Sequence, residues 1–271
     1  MAGLLKIIAT PIGNLTDMSP RGILALKDSQ VILAENITHS RKLFNAIGLD
    51  LSQTKLISCS PSEEAKRIPT ILERLEHGEV VGLVSDAGAP TVSDPGGRLI
   101  SAVIEAGYKI EVIPGPSAII TALMGAGLIA NRFAFLGFLP KKGKERVRLI
   151  QTSYTAGLAL VIFESPNRIS ETIENLFEIC GPQKVVVARE LTKHFETFHR
   201  GILGQDLKPE IVTKGELVII IEAKTESAEI NIPNDAFEKP AMGNKAAAKQ
   251  LSAQYGISVK EAYQRLLTNA K

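Results

Sequence analysis

The ionisable and conformationally special residues of this chain gather where hydrophobic runs stop. The runs 4–10 (LLKIIAT) and 80–85 (VVGLVS) lead into Thr10-Pro11-Ile12-Gly13-Asn14 and Ser85-Asp86-Ala87-Gly88-Ala89-Pro90, and a third leads into Pro114-Gly115-Pro116-Ser117. Strand ends in open α/β sheets are where ligands bind, because loops there leave backbone groups free between rigid walls. Glycine admits close backbone approach and proline stiffens it. Asp86 adds a carboxylate to one such turn, and Ser117 opens a helix of small residues whose first N–H groups are free for polar ligand atoms. Two further strand ends are charged, in Phe163-Glu164-Ser165-Pro166-Asn167-Arg168 and Ala188-Arg189-Glu190-Leu191-Thr192-Lys193. Each feature also has a bland reading: a capped turn at Asp86, a hinge at 114–117, a structural ion pair at the charged ends.

Other chemistries lack their residues. His194 and His199 are five apart, not at the i,i+4 spacing of a zinc-binding helix, and no Cys-x-x-Cys, G-x-S-x-G or G-x-x-x-x-G-K-[ST] occurs. No metal site is expected, and without G-x-G-x-x-G after the first strand a nicotinamide cofactor is disfavoured. At 271 residues, 45% hydrophobic and 22% charged, the chain is long enough for two domains. Its net charge of +2 does not announce a nucleic-acid binder, so local clusters decide. Cys59 and Cys180 stand far apart, which fits a reducing compartment. No leader peptide is evident and no apolar run reaches the roughly 18 residues of a membrane span, so the expectation is a soluble cytoplasmic protein.

The elements that must position these residues alternate. Strands are expected at 4–10, 31–35, 56–58, 80–85 and 108–113, with helices between them, one opened by Ser19-Pro20 and another by Ser60 and Glu63 at capping-box spacing. A second α/β unit follows, with a small-residue helix at 117–126, strands at 133–138, 159–163, 185–188 and 216–222, and a helix carrying Ile169, Ile173, Leu176, Phe177 and Cys180 on one face. Hairpin character at 195–201 makes this half mixed rather than all-parallel. Between its first two strands, Lys141, Lys142, Lys144, Arg146 and Arg148 crowd into a polar segment, read either as an RNA-binding cluster or as a solvated helix start. Residues 225–240 read as a linker, and 246–255 and 258–267 as two short helices carrying Lys245, Lys249, Lys260 and Arg265 on or beside them. The expected division is 1–115, 116–224 and 225–271.

The segments TPIGNLTDMSPR, SDAGAPTVSDPG, PGPSAIITAL, FLGFLP, FESPNR, ARELTKHFETFHRG and KGELVIIIE, in this order over about residues 4–224, closely resemble the ribosomal RNA small-subunit methyltransferase I family of the tetrapyrrole-methylase superfamily. The resemblance implies an α/β fold of two tetrapyrrole-methylase-type domains with S-adenosylmethionine in the cleft between them, a small helical tail, and usually a homodimer. It implies 2′-O-methylation of a cytidine in 16S ribosomal RNA, with the RNA or the small ribosomal subunit as partner. Carried over by motif, the cofactor residues are Pro11, Asp86, Ala89, Ser117, Ala118, Phe163, Ala188 and Leu217. We expect Asp86 to orient polar groups, Ser117 and Ala118 to meet the methionine end, and Phe163, Ala188 and Leu217 to wall the adenine. A ribose hydroxyl needs a general base, for which Glu190, Glu164, Asp86 and Lys193 are candidates; Arg168 and Arg189 could grip phosphates. Two segments depart from the family pattern. Asn36-Ile37-Thr38 stands where Asp-Thr-Arg is usual, and Ser60-Pro61-Ser62-Glu63-Glu64 where a histidine- and asparagine-rich motif is usual. A small-molecule methylase acting on tetrapyrroles, and a non-catalytic RNA-binding relative, are the alternatives.

Overall fold

The computed structural model describes residues 3–50, 52–207, 214–224 and 243–268. The chain divides into two compact units, Met1–Ile120 and Thr121–Lys271.

Unit 1 is built on strands β1 (Leu4–Ile8), β2 (Val31–Ala34), β3 (Lys55–Ser58), β4 (Val80–Val84) and β5 (Lys109–Ile113), linked by helices α1 (Pro20–Lys27), α2 (Ile37–Ala46), α3 (Glu64–Glu76) and α4 (Gly97–Glu105). The sheet is wholly parallel in the order β3-β2-β4-β1-β5. Central strands of such a sheet are apolar on both faces, which explains the unbroken runs of β2 and β4. One face packs Leu5, Val31, Leu33, Val81 and Leu83 against α3 and α4, through Ile71, Leu75, Leu99 and Val103. The other packs Ile8, Ile32, Ala34 and Val84 against α1 and α2, through Ala25, Leu26 and Phe44. Each Val, Leu, Ile or Phe side chain among them removed from water contributes about 1.5–3 kcal/mol. The connection leaving β1 therefore runs over one face and that leaving its neighbour β4 over the other. That reversal is the topological switch point at which open α/β sheets form a crevice.

Ser19 caps α1 as expected, accepting from the Gly22 N–H at 2.9 Å with Pro20 in the first turn. The expected capping box at α3 does not form. Ser60 Oγ instead donates to Glu63 Oε2 at 3.0 Å, and Glu63, also bound by Ser58, is the cap residue.

Unit 2 contains β6 (Phe133–Phe138), α6 (Lys144–Thr155), β7 (Ala159–Glu164), α7 (Ile169–Cys180), β8 (Lys184–Arg189), β9 (Thr197–Ile202) and β10 (Leu217–Ile221). Its sheet, in the order β6-β7-β10-β8-β9, is mixed: β6 and β7 are parallel and the other pairings antiparallel. Helix α5 (Ala118–Ala126) straddles the unit boundary. Its Gly125 lies on the Phe198 ring so closely that any side chain there would strike it, and Arg200 donates to the Gly125 and Ala126 carbonyls. The tail helices α8 (Asn244–Tyr255) and α9 (Val259–Thr268) pack together around Ala248, Leu251, Ala262 and Leu266, with Ser258 accepting from the Glu261 N–H. The expected linker, 225–240, lies outside the described residues.

Candidate active site

Four strand ends of unit 1 are knitted into one rim. Thr10 and Gly88 exchange backbone hydrogen bonds of 2.9 and 3.1 Å, tying the β1 loop to the β4 loop across the switch point. Thr10 Oγ1 donates to the Ser85 carbonyl at 3.3 Å, and the Ala9 N–H donates to Ile113 at the end of β5. Gly88 has φ +83°, and a Cβ there would come within 3.2 Å of Ile12. Pro11 and Pro90 are buried in the rim, while Asp86, Ala89, Ser117 and Ala118 are half-buried on it. The structure thus gathers five of the expected cofactor residues at one edge.

The Asn36 N–H donates to Asp86 Oδ1 at 3.1 Å, joining the end of β2 to the rim. Asn36 also caps α2, its side-chain oxygen accepting from Thr38 and His39 at 3.0 and 3.2 Å. Asparagine caps as well as aspartate, so this departure from the family pattern preserves the local geometry.

Two carboxyls that sequence reasoning passed over stand beside Asp86. Burial, then repulsion from Asp86, holds the Glu35 carboxyl above the ordinary range. Burial, then Glu35, pushes Asp94 up to about 6, with the Ser85 hydrogen bond pulling the other way. Asp94 follows Thr91 and Ser93, two non-glycine residues at φ 75° and 69°. Backbone held in that region costs on the order of 1–3 kcal/mol and concentrates at functional sites. No group of three acids, histidines or cysteines able to hold a metal ion occurs among the described residues.

The expected residues of unit 2 separate into different environments. Phe163 contacts Phe135 and Phe138 edge-on, at centroid distances of 4.8 and 5.7 Å. The bulge between Phe135 and Phe138 produces this by bringing Phe138 opposite Phe163. Phe163 and Ala188 both pair with Val218 of β10 and share its face. Leu217, one residue earlier, points to the opposite face and packs with Leu176 and Ile219 in the helix-covered core. Its side chain cannot wall an adenine beside Phe163, which corrects that expectation.

Glu164 is corrected as a base. Its side chain is fully buried; Thr172 Oγ1 donates to one oxygen at 2.6 Å, and the Ser165 N–H (2.8 Å) and Arg168 Nε (3.3 Å) reach the other. Arg168 also donates to the Leu139 carbonyl at 2.7 Å. Arg146, 1% exposed, donates to Thr172 Oγ1 at 2.9 Å and to the Lys141 carbonyl at 3.1 Å. Arg146 is therefore an internal strut rather than a phosphate contact, while the half-buried Arg168 braces Glu164 and the Leu139 carbonyl. Lys141, Lys142, Lys144 and Arg148 remain exposed. Arg189 is half-buried, with Nε donating to the Lys214 carbonyl at 2.7 Å.

Glu190 and Lys193 form an ion pair at 3.0 Å, with Glu216 also 3.0 Å from the ammonium. The Glu216 N–H, over the opposing cost of burial, and Lys193 hold Glu190 below the usual carboxylate range. Burial lowers Lys193, but hydrogen bonds to Glu216 and Glu190 more than offset it, and the net shift is upward. A carboxylate made less basic and an amine kept protonated are both poor general bases. Gly215 is fitted to this pair: its φ is +96° and a Cβ would lie 2.6 Å from the Glu190 side chain. Both cysteines are free and buried, which raises Cys59 to about 11 and Cys180 to about 12 and leaves them unreactive.

Comparison with known proteins accords with this architecture. Residues 5–205 match the family model of the tetrapyrrole (corrin/porphyrin) methylases. A relative from Halalkalibacterium halodurans, named ribosomal RNA small subunit methyltransferase I, is 34% identical over 96% of this chain and 93% of its own. Proteins of the same name from Xylella fastidiosa (38% identical, over 96% and 98% of the two chains) and Escherichia coli O157:H7 (36%, over 89% and 84%) are also similar. Among solved structures, the methyltransferase CobJ superposes with a TM-score of 0.62 at 20% identity, over 82% of this chain and 93% of that one. A diphthine synthase gives 0.60 at 17%, over 83% and 91%. At such identities these structures speak for the fold alone. By the family model and by nearly full-length similarity, the chain belongs to the tetrapyrrole methylase family, within the group named ribosomal RNA small subunit methyltransferase I.

Proposed function

We propose that the chain is an S-adenosylmethionine-dependent methyltransferase that modifies the 2′-hydroxyl of a cytidine in small-subunit ribosomal RNA, working in the cytoplasm as a homodimer. The observation that carries the reading is similarity to the rRNA methyltransferases over nearly the whole chain, 34% identity across 96% of it. The exposed cations Lys141, Lys142, Lys144 and Arg148 support RNA over a tetrapyrrole, and exposed Met124 and Ile129 support self-association. No helix among the described residues is long and apolar enough to cross a membrane.

The unit 1 rim suits the cofactor chemically. It offers a carboxylate at Asp86, small side chains at Ala89 and Ala118, a hydroxyl at Ser117 and a rigid buried wall at Pro11. These residues are proposed to hold S-adenosylmethionine. When bound, the cofactor supplies a methyl group already activated by its sulfonium charge. The chain's task is then to align the hydroxyl, exclude water and accept one proton. Asp94 is the proposed acceptor: its pKa of about 6 leaves it ionised at neutral pH yet basic enough to receive a proton. Burial maintains that basicity, with Glu35 and then Asp86 adding to it. Glu190 and Lys193 are proposed to hold the strand-end turn.

Methyl transfer assayed in parallel on small ribosomal subunits and on a tetrapyrrole separates the readings. Reversing charge at Lys141, Lys142 and Lys144 is expected to weaken RNA retention on filters at least tenfold and leave calorimetric cofactor affinity unchanged. Unaltered RNA affinity would refute the assignment of this loop.

A further inference from the structure

An open groove of about 760 Å³ runs along the outer side of α6 where it meets α7. Lys144, Arg148, Gln151 and Thr155 recur at one-turn intervals along it, with Thr152 beside them and Asn175 contributed by α7. At about 1.5 Å per residue the stripe is roughly 16 Å long. Its composition is selective. Every polar lining side chain is either a cation or an uncharged hydrogen-bonding group, and no carboxylate lines it. The acids of the two helices, Glu145, Glu171, Glu174 and Glu178, all lie outside the lining. Neither Lys144 nor Arg148 is ion-paired among the described residues.

The inner face of the same helix is locked. Arg146, Ile150 and Tyr154 point into the core, and Arg146 fastens the Lys141 carbonyl on one side and Thr172 of α7 on the other. The groove is therefore a fixed surface, continuous with the basic loop 141–144 and held against α7 by the buried Arg146–Thr172 hydrogen bond.

We propose that this groove carries the phosphodiester backbone of the RNA substrate beyond the lysine loop, with Lys144 and Arg148 neutralising successive phosphates. Gln151, Thr152, Thr155 and Asn175 meet phosphate and ribose oxygens. Phosphate contacts of this kind set register and orientation without reading sequence. The inference rests on the rRNA-methyltransferase reading and adds to it a track on a face of unit 2 remote in sequence from the rim residues.

The test is the double variant Gln151→Glu/Asn175→Asp, which keeps side-chain shape and places two negative charges in the groove. Its affinity for undermodified small ribosomal subunits should fall at least tenfold at about 0.1 M salt, with unchanged thermal unfolding and cofactor affinity. Independently, Arg148→Ala should flatten the plot of log affinity against log salt by about 0.7 per phosphate released from a single strand. If both variants bind within twofold of the unmodified protein and keep its salt slope, while charge reversal at Lys141 and Lys142 alone abolishes binding, the groove is off the RNA path and the functional reading stands. If the unmodified protein itself neither binds nor methylates subunits, the functional reading fails and the groove assignment falls with it.

Discussion

At the scale of single residues, the proposed chemistry rests on three neighbouring carboxyls that no one segment contains. Asp86 was legible because Gly88 and Pro90 flank it at a strand end. Glu35 and Asp94 were not, because their significance arises only when pairing of β2 with β4 brings residues 59 positions apart to one edge. The strained Thr91 and Ser93 have no sequence signature at all, being ordinary residues in an uncommon conformation. If Asp94 accepts the proton, kcat/KM rises with pH through about 6, since only the ionised carboxylate is a base. Asp94→Asn should lower kcat by about 10²–10⁴ and remove that limb of the profile while cofactor affinity persists. The same substitution should stabilise the fold. A carboxyl whose pKa is raised on folding binds its proton more tightly in the native state, so ionisation above pH 6 destabilises the protein. The raised pKa of this half-buried group, discounted for solvent screening, corresponds to about 1 kcal/mol, or roughly 2–4 °C in Tm at pH 8. The gain should shrink as pH falls toward 4. A thermal scan at pH 8 and pH 4.5 in which Asp94→Asn shows no such convergence would contradict the assignment.

At the scale of elements, most strands were readable from apolar runs ending in Gly or Pro, because buried parallel strands leave that pattern and few others do. The mixed second sheet was readable from the hairpin character before β9. Helix α6 was harder: five cations between 141 and 148 read together as one RNA-binding cluster or one solvated helix start. The buried stripe Arg146, Ile150, Tyr154 does follow helical spacing, but its first member is charged, so hydropathy conceals it. The partners that pay for that burial, Thr172 and the Lys141 carbonyl, are visible only in three dimensions. Leu217 was misjudged for a related reason, since naming it with Phe163 ignored the alternation that sends adjacent strand positions to opposite faces. Arg146→Met should remove the donor shared by the buried Thr172 hydroxyl and the Lys141 carbonyl and cost about 1–3 kcal/mol. Hydrogen exchange should locate the loss in the amides of α6 and α7, with β1–β5 unchanged. Uniform acceleration across both units, or none, would contradict the strut.

At the scale of the whole molecule, a near-neutral chain of net charge +2 conceals a local asymmetry. One unit gathers carboxyls at a parallel-sheet switch point, and the other presents, on a loop and helix face, cations that form no ion pair among the described residues. Family membership could be recognised from motif order, since seven segments in register are far more specific than any one. Which atom receives the methyl group is not written in those motifs. The decisive measurement is transfer of tritium from methyl-labelled S-adenosylmethionine to undermodified small ribosomal subunits, followed by nuclease digestion to find the labelled nucleotide. The account predicts label on the ribose of a single cytidine in the small-subunit RNA. Label on a base, on ribosomal protein, or on a tetrapyrrole in place of RNA would contradict it.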